Sequence, residues 1–240
     1  MSSLMDITIG GRAHMDEQVL AAMARWPNVP AAYGWLSLSR RGQWLLHPHG
    51  RGWGAPDEEP GEAIANPQIT AFMNRNYQSD GQGRWFFQNG PQRVYVRLDG
   101  APWILHTPPD TRGPLQLRTH AGQPYGPVTR WWLDDEGCLY AQSDQGAGLV
   151  ADRDLAQVID ALRTADGQPV GAWLEAGPGA DDITQVRPAD PGARDPAGAG
   201  PDAGASPPAH APFGRLRTAD AEAVLGFVRR PAAAPADTAG

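Results

Sequence analysis

The segment Gly83–Leu98 holds the densest set of side chains that could do chemistry. Folded back on itself as a hairpin, it places Arg84, Phe86, Gln88, Arg93, Tyr95 and Arg97 on one face, because side chains alternate along a strand. Guanidinium groups interleaved with aromatic rings can hold an anion or stack on a planar group. That face is the candidate ligand-binding surface. The opposite face carries Trp85, Phe87, Val94 and Val96 and reads as core. The plainer reading of the first face is that the second helix, or the acidic loop Asp57-Glu58-Glu59, covers it. Asn89-Gly90 resembles a two-residue turn, but Pro91 lacks an N–H, so a four-residue loop Asn89–Gln92 is expected, with Gln88 opposite Arg93 and Trp85 opposite Val96.

Other reactive groups are sparse. His47 and His49 flank a proline, and His106 and His120 lie on or beside strands. A metal needs three or four converging ligands with outer partners to orient them, so no metal and no cofactor is expected. Cys138 stands alone beside Asp134, Asp135 and Glu136, whose charge disfavours a thiolate, and it reads as a buried, inert thiol. There is no Gly-x-Ser-x-Gly elbow and no glycine-rich phosphate loop. Asp152-Arg153-Asp154 could orient a substrate. More simply, Asp152 caps a helix and Asp154 complements its dipole.

Composition narrows the classes further. The chain has 240 residues, and all 20 basic residues are arginine. With no lysine, a Schiff-base lysine, a phosphate-loop lysine and a lysine general base are excluded. A net charge of −7 argues against a nucleic-acid binder. No apolar run is long enough to span a membrane, and Met1–Gly11 lacks the basic and apolar regions of a secretory signal. With one cysteine, the reducing cytoplasm is the expected location.

Stepping outward, the elements around the hairpin can be placed by pattern. A helix is expected over roughly Ala13–Trp26, a strand over Tyr33–Ser39, and its hairpin partner over Gln43–His47. A second helix starts at Asn66-Pro67, with Ile69, Phe72 and Met73 as its apolar stripe. Strands are expected at Trp103–His106, Leu115–Thr119, Thr129–Leu133, Cys138–Gln142 and Val170–Glu175. A third helix carries Leu155, Val158, Ile159 and Leu162. Polar turns ending in Gly42, Gly83 and Gly137 precede three similar strand starts. From Gly177 onward, 36 of 64 residues are Ala, Gly or Pro, and 177–240 reads as a largely disordered tail with one short helix at 218–229 that could dock on the folded part or on a partner. Leu216–Asp220 repeats Leu162–Asp166 residue for residue. The expected fold is α+β, mostly antiparallel hairpins forming a roll or partly open barrel with about three helices. It occupies 12–176, with 12–108 and 109–176 as candidate subdomains.

Several stretches resemble an uncharacterised proteobacterial domain-of-unknown-function family. They are Arg25-Trp26-Pro27-Asn28-Val29-Pro30, Tyr33-Gly34-Trp35-Leu36, Asn74-Arg75-Asn76-Tyr77 and the run from Gly83 to Val96, with Trp103, Thr119-His120 and Asp152–Leu155 in keeping. A fainter similarity to a second uncharacterised bacterial family of β-rich rolls rests on Asp99 and Ala101-Pro102-Trp103, here separated by Gly100. Neither resemblance implies an activity. Both imply a compact β-rich cytoplasmic protein.

The function expected is therefore a non-catalytic module that binds a protein or an anionic small molecule through the arginine and aromatic hairpin face. The alternatives are an enzyme built on Arg84, Arg93, Tyr95, His106 and His120, or a weak binder of single-stranded nucleic acid. No membrane partner is expected.

Overall fold

The computed structural model describes residues 15–109, 114–179, 181–189 and 210–233. They form two compact units. Unit 1 holds 15–39, 43–99 and 227–233, and unit 2 holds Arg40–Gly42 and Gly100–Gly226. The expected division near residue 108 lies close to the crossing at Gly100, but the chain returns to unit 1 at Phe227.

Unit 1 begins with helix α1 (Glu17–Arg25), which buries Val19 and carries Glu17 and Arg25 at the ends its dipole favours. Pro27 lies two residues beyond it. Strands β1 (Ala32–Leu38), β2 (Trp44–Leu46) and β3 (Glu62–Ala63) follow, then helix α2 (Pro67–Arg75). Asn66 caps α2 as anticipated, its side chain accepting from the amides of Gln68 (2.9 Å) and Ile69 (3.3 Å), with Pro67 at the first helical position. Strands β4 (Tyr77–Ser79), β5 (Trp85–Asn89) and β6 (Gln92–Leu98) complete the sheet, ordered β3-β2-β1-β6-β5-β4. Only β1 and β6 pair in parallel. The anticipated core face is buried, Trp85, Phe87, Val94 and Val96 included, and Tyr77 packs edge-on to Trp44 at 5.1 Å.

The β5–β6 connection is tighter than expected. Asn89 pairs with Gln92 and Gln88 with Arg93, which leaves a two-residue loop. Gly90 has φ of +57°. Pro91 takes the second central position, where a two-residue hairpin uses no N–H and a negative φ suits the ring.

Unit 2 contains β7 (Trp103–His106), β8 (Arg118–Thr119), β9 (Arg130–Asp134), β10 (Leu139–Ser143) and β11 (Gly146–Val150). Helix α3 (Asp152–Asp160), β12 (Leu162–Thr164), α4 (Val170–Glu175), β13 (Thr184–Pro188) and β14 (Ala211–Leu216) follow, and a 3₁₀ turn at Thr218–Asp220 leads into α5 (Ala221–Leu225). The sheet runs β12-β13-β14-β9-β10-β11-β7-β8, with β7/β11 and β9/β14 parallel. The fold is α+β and β-rich, as expected, with five short α-helices among the described residues where about three were expected.

Four readings are corrected. Val170–Glu175 is a helix, because Val170 seals against the core and Trp173 meets Phe213 edge-on at 5.8 Å. Six residues are too few for a helical period to stand out. Within 177–240, residues 184–188 and 211–216 are internal strands, with Val186, Ala211 and Phe213 buried; alanine- and proline-rich composition averaged over 64 residues hides two short strands that pair with each other and with β9. The helix expected at 218–229 spans only 221–225 and ends at Gly226, whose φ is +72°. The Thr218 hydroxyl donates to Asp135 (2.6 Å). Asp152 lies inside α3, behind Ala151 at the cap position. The rest of the expected tail lies outside the described residues.

One turn frame recurs. The amide of residue i donates to the carbonyl of i+4 at Ser39/Gln43, Asp80/Arg84, Thr119/Gln123, Asp134/Cys138 and Thr164/Gln168, at 2.9–3.0 Å. The residue at i+3 is always glycine, with φ between +77° and +87°. The side chain at i adds a second bond. The Ser39 Oγ accepts from the Gln43 amide, Asp80 and Asp134 carboxylates accept from Arg84 and Cys138, and the Thr119 and Thr164 hydroxyls donate to the carbonyls of Gln123 and Gln168. The hairpin signature read at Gly42, Gly83 and Gly137 thus extends to Gly122 and Gly167.

Two histidines are built into the packing, His47 fully buried and His120 half-buried. The Nδ1 of His47 faces the Glu59 carbonyl (3.1 Å), which can only accept, so it carries the proton, and Nε2 accepts from the Ser37 hydroxyl (2.9 Å). The ring is enclosed so closely that a Cβ at Gly52 would stand 2.5 Å from its Cδ2. Burial lowers the His47 pKa, and Arg97 adds to the effect. Burial, with His106 nearby, pulls His120 down to about 3.

Two predictions follow from this packing. Gly81→Ala should cost about 1–2 kcal/mol, the strain of φ +82° with open space around it. Gly34→Ala should cost clearly more in the same urea titration, since its φ is +83° and its Cβ would fall 2.1 Å from the Gly50 carbonyl oxygen. Second, both histidines are neutral when folded but titrate near 6.5 when unfolded. Stability should be flat between pH 7 and 8 and fall as pH drops from 6.5 to 5, where the unfolded chain takes protons the folded one refuses. For His120 the slope is about 1.4 kcal/mol per pH unit. Urea titrations over that window check it, and a flat profile refutes it.

Candidate functional site

The hairpin face that carries the expected ligand residues is mostly interior. Phe86, Gln88 and Tyr95 are 2%, 1% and 0% exposed. The Asp80 carboxylate organises the centre. One oxygen accepts from Arg84 Nε (2.6 Å) and the Tyr95 hydroxyl (3.1 Å), and the other from the amides of Gln82 and Arg84. Burial would raise the Asp80 pKa, but these bonds and the Arg84 charge outweigh it and the net shift is downward. The Arg84 guanidinium lies 4.7 Å from the Tyr95 ring centroid, and Tyr33 stacks on that ring at 4.7 Å, nearly parallel. Arg93 is exposed but lies over Phe86 (4.8 Å). Arg97 bonds Asp99 and the Gly52 carbonyl. Gln88 bonds the Gly90 carbonyl.

One end of this face, at Gly83, Arg84 and Leu98, is crossed by a segment expected to belong to the tail. The Val228 amide donates to the Gly83 carbonyl (2.8 Å), the Leu98 amide to the Arg229 carbonyl (2.9 Å), and Arg84 Nη1 to the Ala232 carbonyl (3.3 Å). Trp53 Nε1 holds the Pro231 carbonyl (3.0 Å), and Arg230 pairs with Glu58 (2.9 Å). The face expected to bind is thus tied by residues 228–232 and by the loop that includes the acidic run Asp57–Glu59. An extended strap donates and accepts backbone bonds wherever it lands, so apolar periodicity gives no signal for it.

The remaining candidates are structural or dispersed. His47 is sealed and His49 is exposed on Glu59 (2.7 Å), so the pair does not converge. Glu59 resists protonation: burial opposes its charge, yet bonds from His49 and the amides of His49 and Arg51 hold its pKa at about 2. In unit 2, His106 Nδ1 lies 3.1 Å from Asp154, which also accepts from Thr107 (2.9 Å) and Arg153 (3.3 Å). Burial raises the Asp154 pKa, and these bonds more than reverse it. The five residues of the enzyme alternative divide between the units, Arg84, Arg93 and Tyr95 in the first and His106 and His120 in the second. Cys138 is buried, its pKa raised by burial and by Asp134 against the pull of Arg40. Among the described residues no cluster of three His, Cys, Asp or Glu could hold a metal, and no helix is long and apolar enough to cross a membrane.

The open feature of unit 1 is on the face read as core. A cavity of about 550 Å³ lies between α2 and the sheet, walled by Trp35, Leu46, Ile69, Phe72, Phe87 and Val94. Trp35, Leu46 and Ile69 are 43%, 39% and 48% exposed, so the groove opens to solvent. None of its lining residues is charged, and Asn89 and Gln92 supply carboxamides. The Trp35 indole packs against Gly50, where a Cβ would stand 2.8 Å from it. Sequence reading placed Ile69, Phe72 and Phe87 on the right faces. It could not tell an apolar stripe that is covered from one that is left open.

No curated protein matches the chain in sequence. Among solved structures, it is similar to the crystal structure of a DUF1285 family protein from Silicibacter pomeroyi DSS-3, with 17% identity and a TM-score of 0.41 over 57% of this chain and 73% of that one. The model of the DUF2944 family, described as a protein of unknown function (DUF2946), matches residues 15–232. The resemblance to an uncharacterised family is thereby borne out over most of the sequence, and the chain belongs to this family of proteins of unknown function.

Proposed function

We propose that this chain is a non-catalytic binding protein, and that unit 1 takes a neutral, largely apolar small molecule into the groove between α2 and the sheet. The observation that carries this reading is the uncharged groove itself, with three large apolar side chains exposed at one opening. Contiguous exposed apolar surface of this kind marks binding sites, and about 550 Å³ falls within the range of small-molecule pockets. An uncharged lining favours a neutral occupant, since a charge brought there would lose water without gaining a partner. The carboxamides of Asn89 and Gln92 would meet the ligand's polar end. The arginine and aromatic face supports this reading by contrast. Its guanidinium groups already lie on Asp80, Asp99, backbone carbonyls and aromatic rings, which disfavours nucleic acid and free anions there. A single buried cysteine fits a reducing, cytoplasmic setting.

Titration with the neutral dye Nile red, read by its blue-shifted emission, tests the proposal. Wild-type protein should bind saturably. Ile69→Glu and Leu46→Glu should weaken binding at least tenfold, about 1.4 kcal/mol, because each puts a carboxylate at the groove mouth. Both are exposed positions, so unfolding free energy should move by no more than about 0.5 kcal/mol. Arg93→Ala should leave dye binding unchanged. Loss of binding in Arg93→Ala with none in Ile69→Glu would return the site to the hairpin face and overturn the proposal.

A further inference from the structure

Unit 2 contains its own cavity, a trough of about 520 Å³ with Leu117, Tyr125, Trp131, Val186 and Ala211 as its buried floor. The Tyr125 hydroxyl is held by the carbonyls of Ala141 (2.9 Å) and Gly146 (2.6 Å), so only its ring faces a ligand. Arg118 is the one charged residue among those lining the trough. It is exposed, and among the described residues no acid pairs with it. Its Nη1 donates to the Gly122 carbonyl (2.9 Å). That bond leaves the Nε and Nη2 hydrogens, which point the same way and form the side-on fork that a carboxylate accepts with two oxygens.

The trough arises where two similar loops diverge. Leu117–Gly126 and Leu162–Gly171 are identical at seven of ten positions, Leu-Arg-Thr-x-x-Gly-Gln-Pro-x-Gly. Both fold alike, with the same Thr-to-Gln turn bonds and the same bridge between arginine and proline, Arg118 to Pro124 and Arg163 to Pro169. They diverge afterwards. The second copy runs into α4, whose Trp173 covers Phe213, and its Arg163 Nη1 is turned back onto the carbonyls of Asp160 and Leu162. The first copy continues through Pro127 to β9 without a helix. Phe213 pairs with Trp131 and lies two residues from Ala211 on the same strand face, so α4 and the trough share one sheet face. Where one copy supplies its own cover, the other leaves an apolar trough with an arginine at its mouth.

We propose that this trough is a second binding site, for an amphipathic monocarboxylate: the apolar chain or ring lies on the Tyr125–Trp131 floor, and the carboxylate lies on the free fork of Arg118. The charge complementarity with a single guanidinium selects one carboxylate over a neutral head group. The site is independent of the unit 1 groove.

Calorimetric titration of the full chain with octanoate and with octan-1-ol tests this, in an Ile69→Glu background that disables the unit 1 groove. Octanoate should bind at least tenfold more tightly than the alcohol. Arg118→Gln should bring octanoate down to the level of the alcohol. Arg118→Lys, which keeps the charge but not the fork, should fall between. Arg163→Gln, the same change in the sister loop, should have no effect. Circular dichroism confirms that each variant folds. Equal affinity for acid and alcohol, an unchanged octanoate affinity in Arg118→Gln, an equal loss in Arg163→Gln, or no binding of octanoate by folded protein would each overturn the proposal.

Discussion

The Asp80 carboxylate is the interaction on which unit 1 depends. It accepts four bonds from within one hairpin neighbourhood, two from backbone amides and two from Arg84 and Tyr95. A carboxylate this enclosed is tolerable only when its lone pairs are all met. Meeting them fixes Arg84 over the Tyr95 ring and brings Tyr33 onto the same stack. Arg84 in turn presents Nη1 to Ala232, so the carboxylate that closes the turn also helps to anchor the strap across it. The arginines that look like ligand-binding groups in the sequence are thereby internal cations with partners already in place.

That arrangement has a consequence for the other side of the sheet. A twisted sheet with one face closed must bury its second face with something else, and here α2 covers it only in part. Phe72 meets Phe87 edge-on at 5.6 Å, while Trp35, Leu46 and Ile69 remain at the surface. Trp35 is exposed on one side while its indole packs against Gly50 on the other. Unit 2 reaches a comparable cavity by a different route, the absence of a helix where its sister loop has one. The two cavities are similar in size and differ in charge: uncharged in unit 1, one arginine in unit 2.

Much of the local structure was legible in residue types. Asn66-Pro67 marked the start of α2, and the glycine turns marked hairpin ends, because capping and positive φ are requirements of single residues. The alternation in Trp85–Leu98 assigned faces correctly, and the buried Cys138 followed from its neighbours and its strand. The failures share a cause. The helix α4 and the strands β13 and β14 are each six residues or fewer, and what holds them is burial of Val170, Val186 and Phe213 against partners elsewhere in the chain. Pro91 looked like a bar to a tight turn only because its position within that turn depends on the register of β5 against β6.

The sequence by itself determined which side chains share a face, where the chain must turn, and that no role here falls to a lysine. Tertiary structure alone decided which face is closed. The strap reaches Arg84 from 148 residues away, and its bonds run through backbone groups that every sequence possesses. Alternation of polar and apolar residues records that a face exists. What lies against that face is set by long-range contacts, and those contacts placed the open surface on the side that the pattern had marked as core.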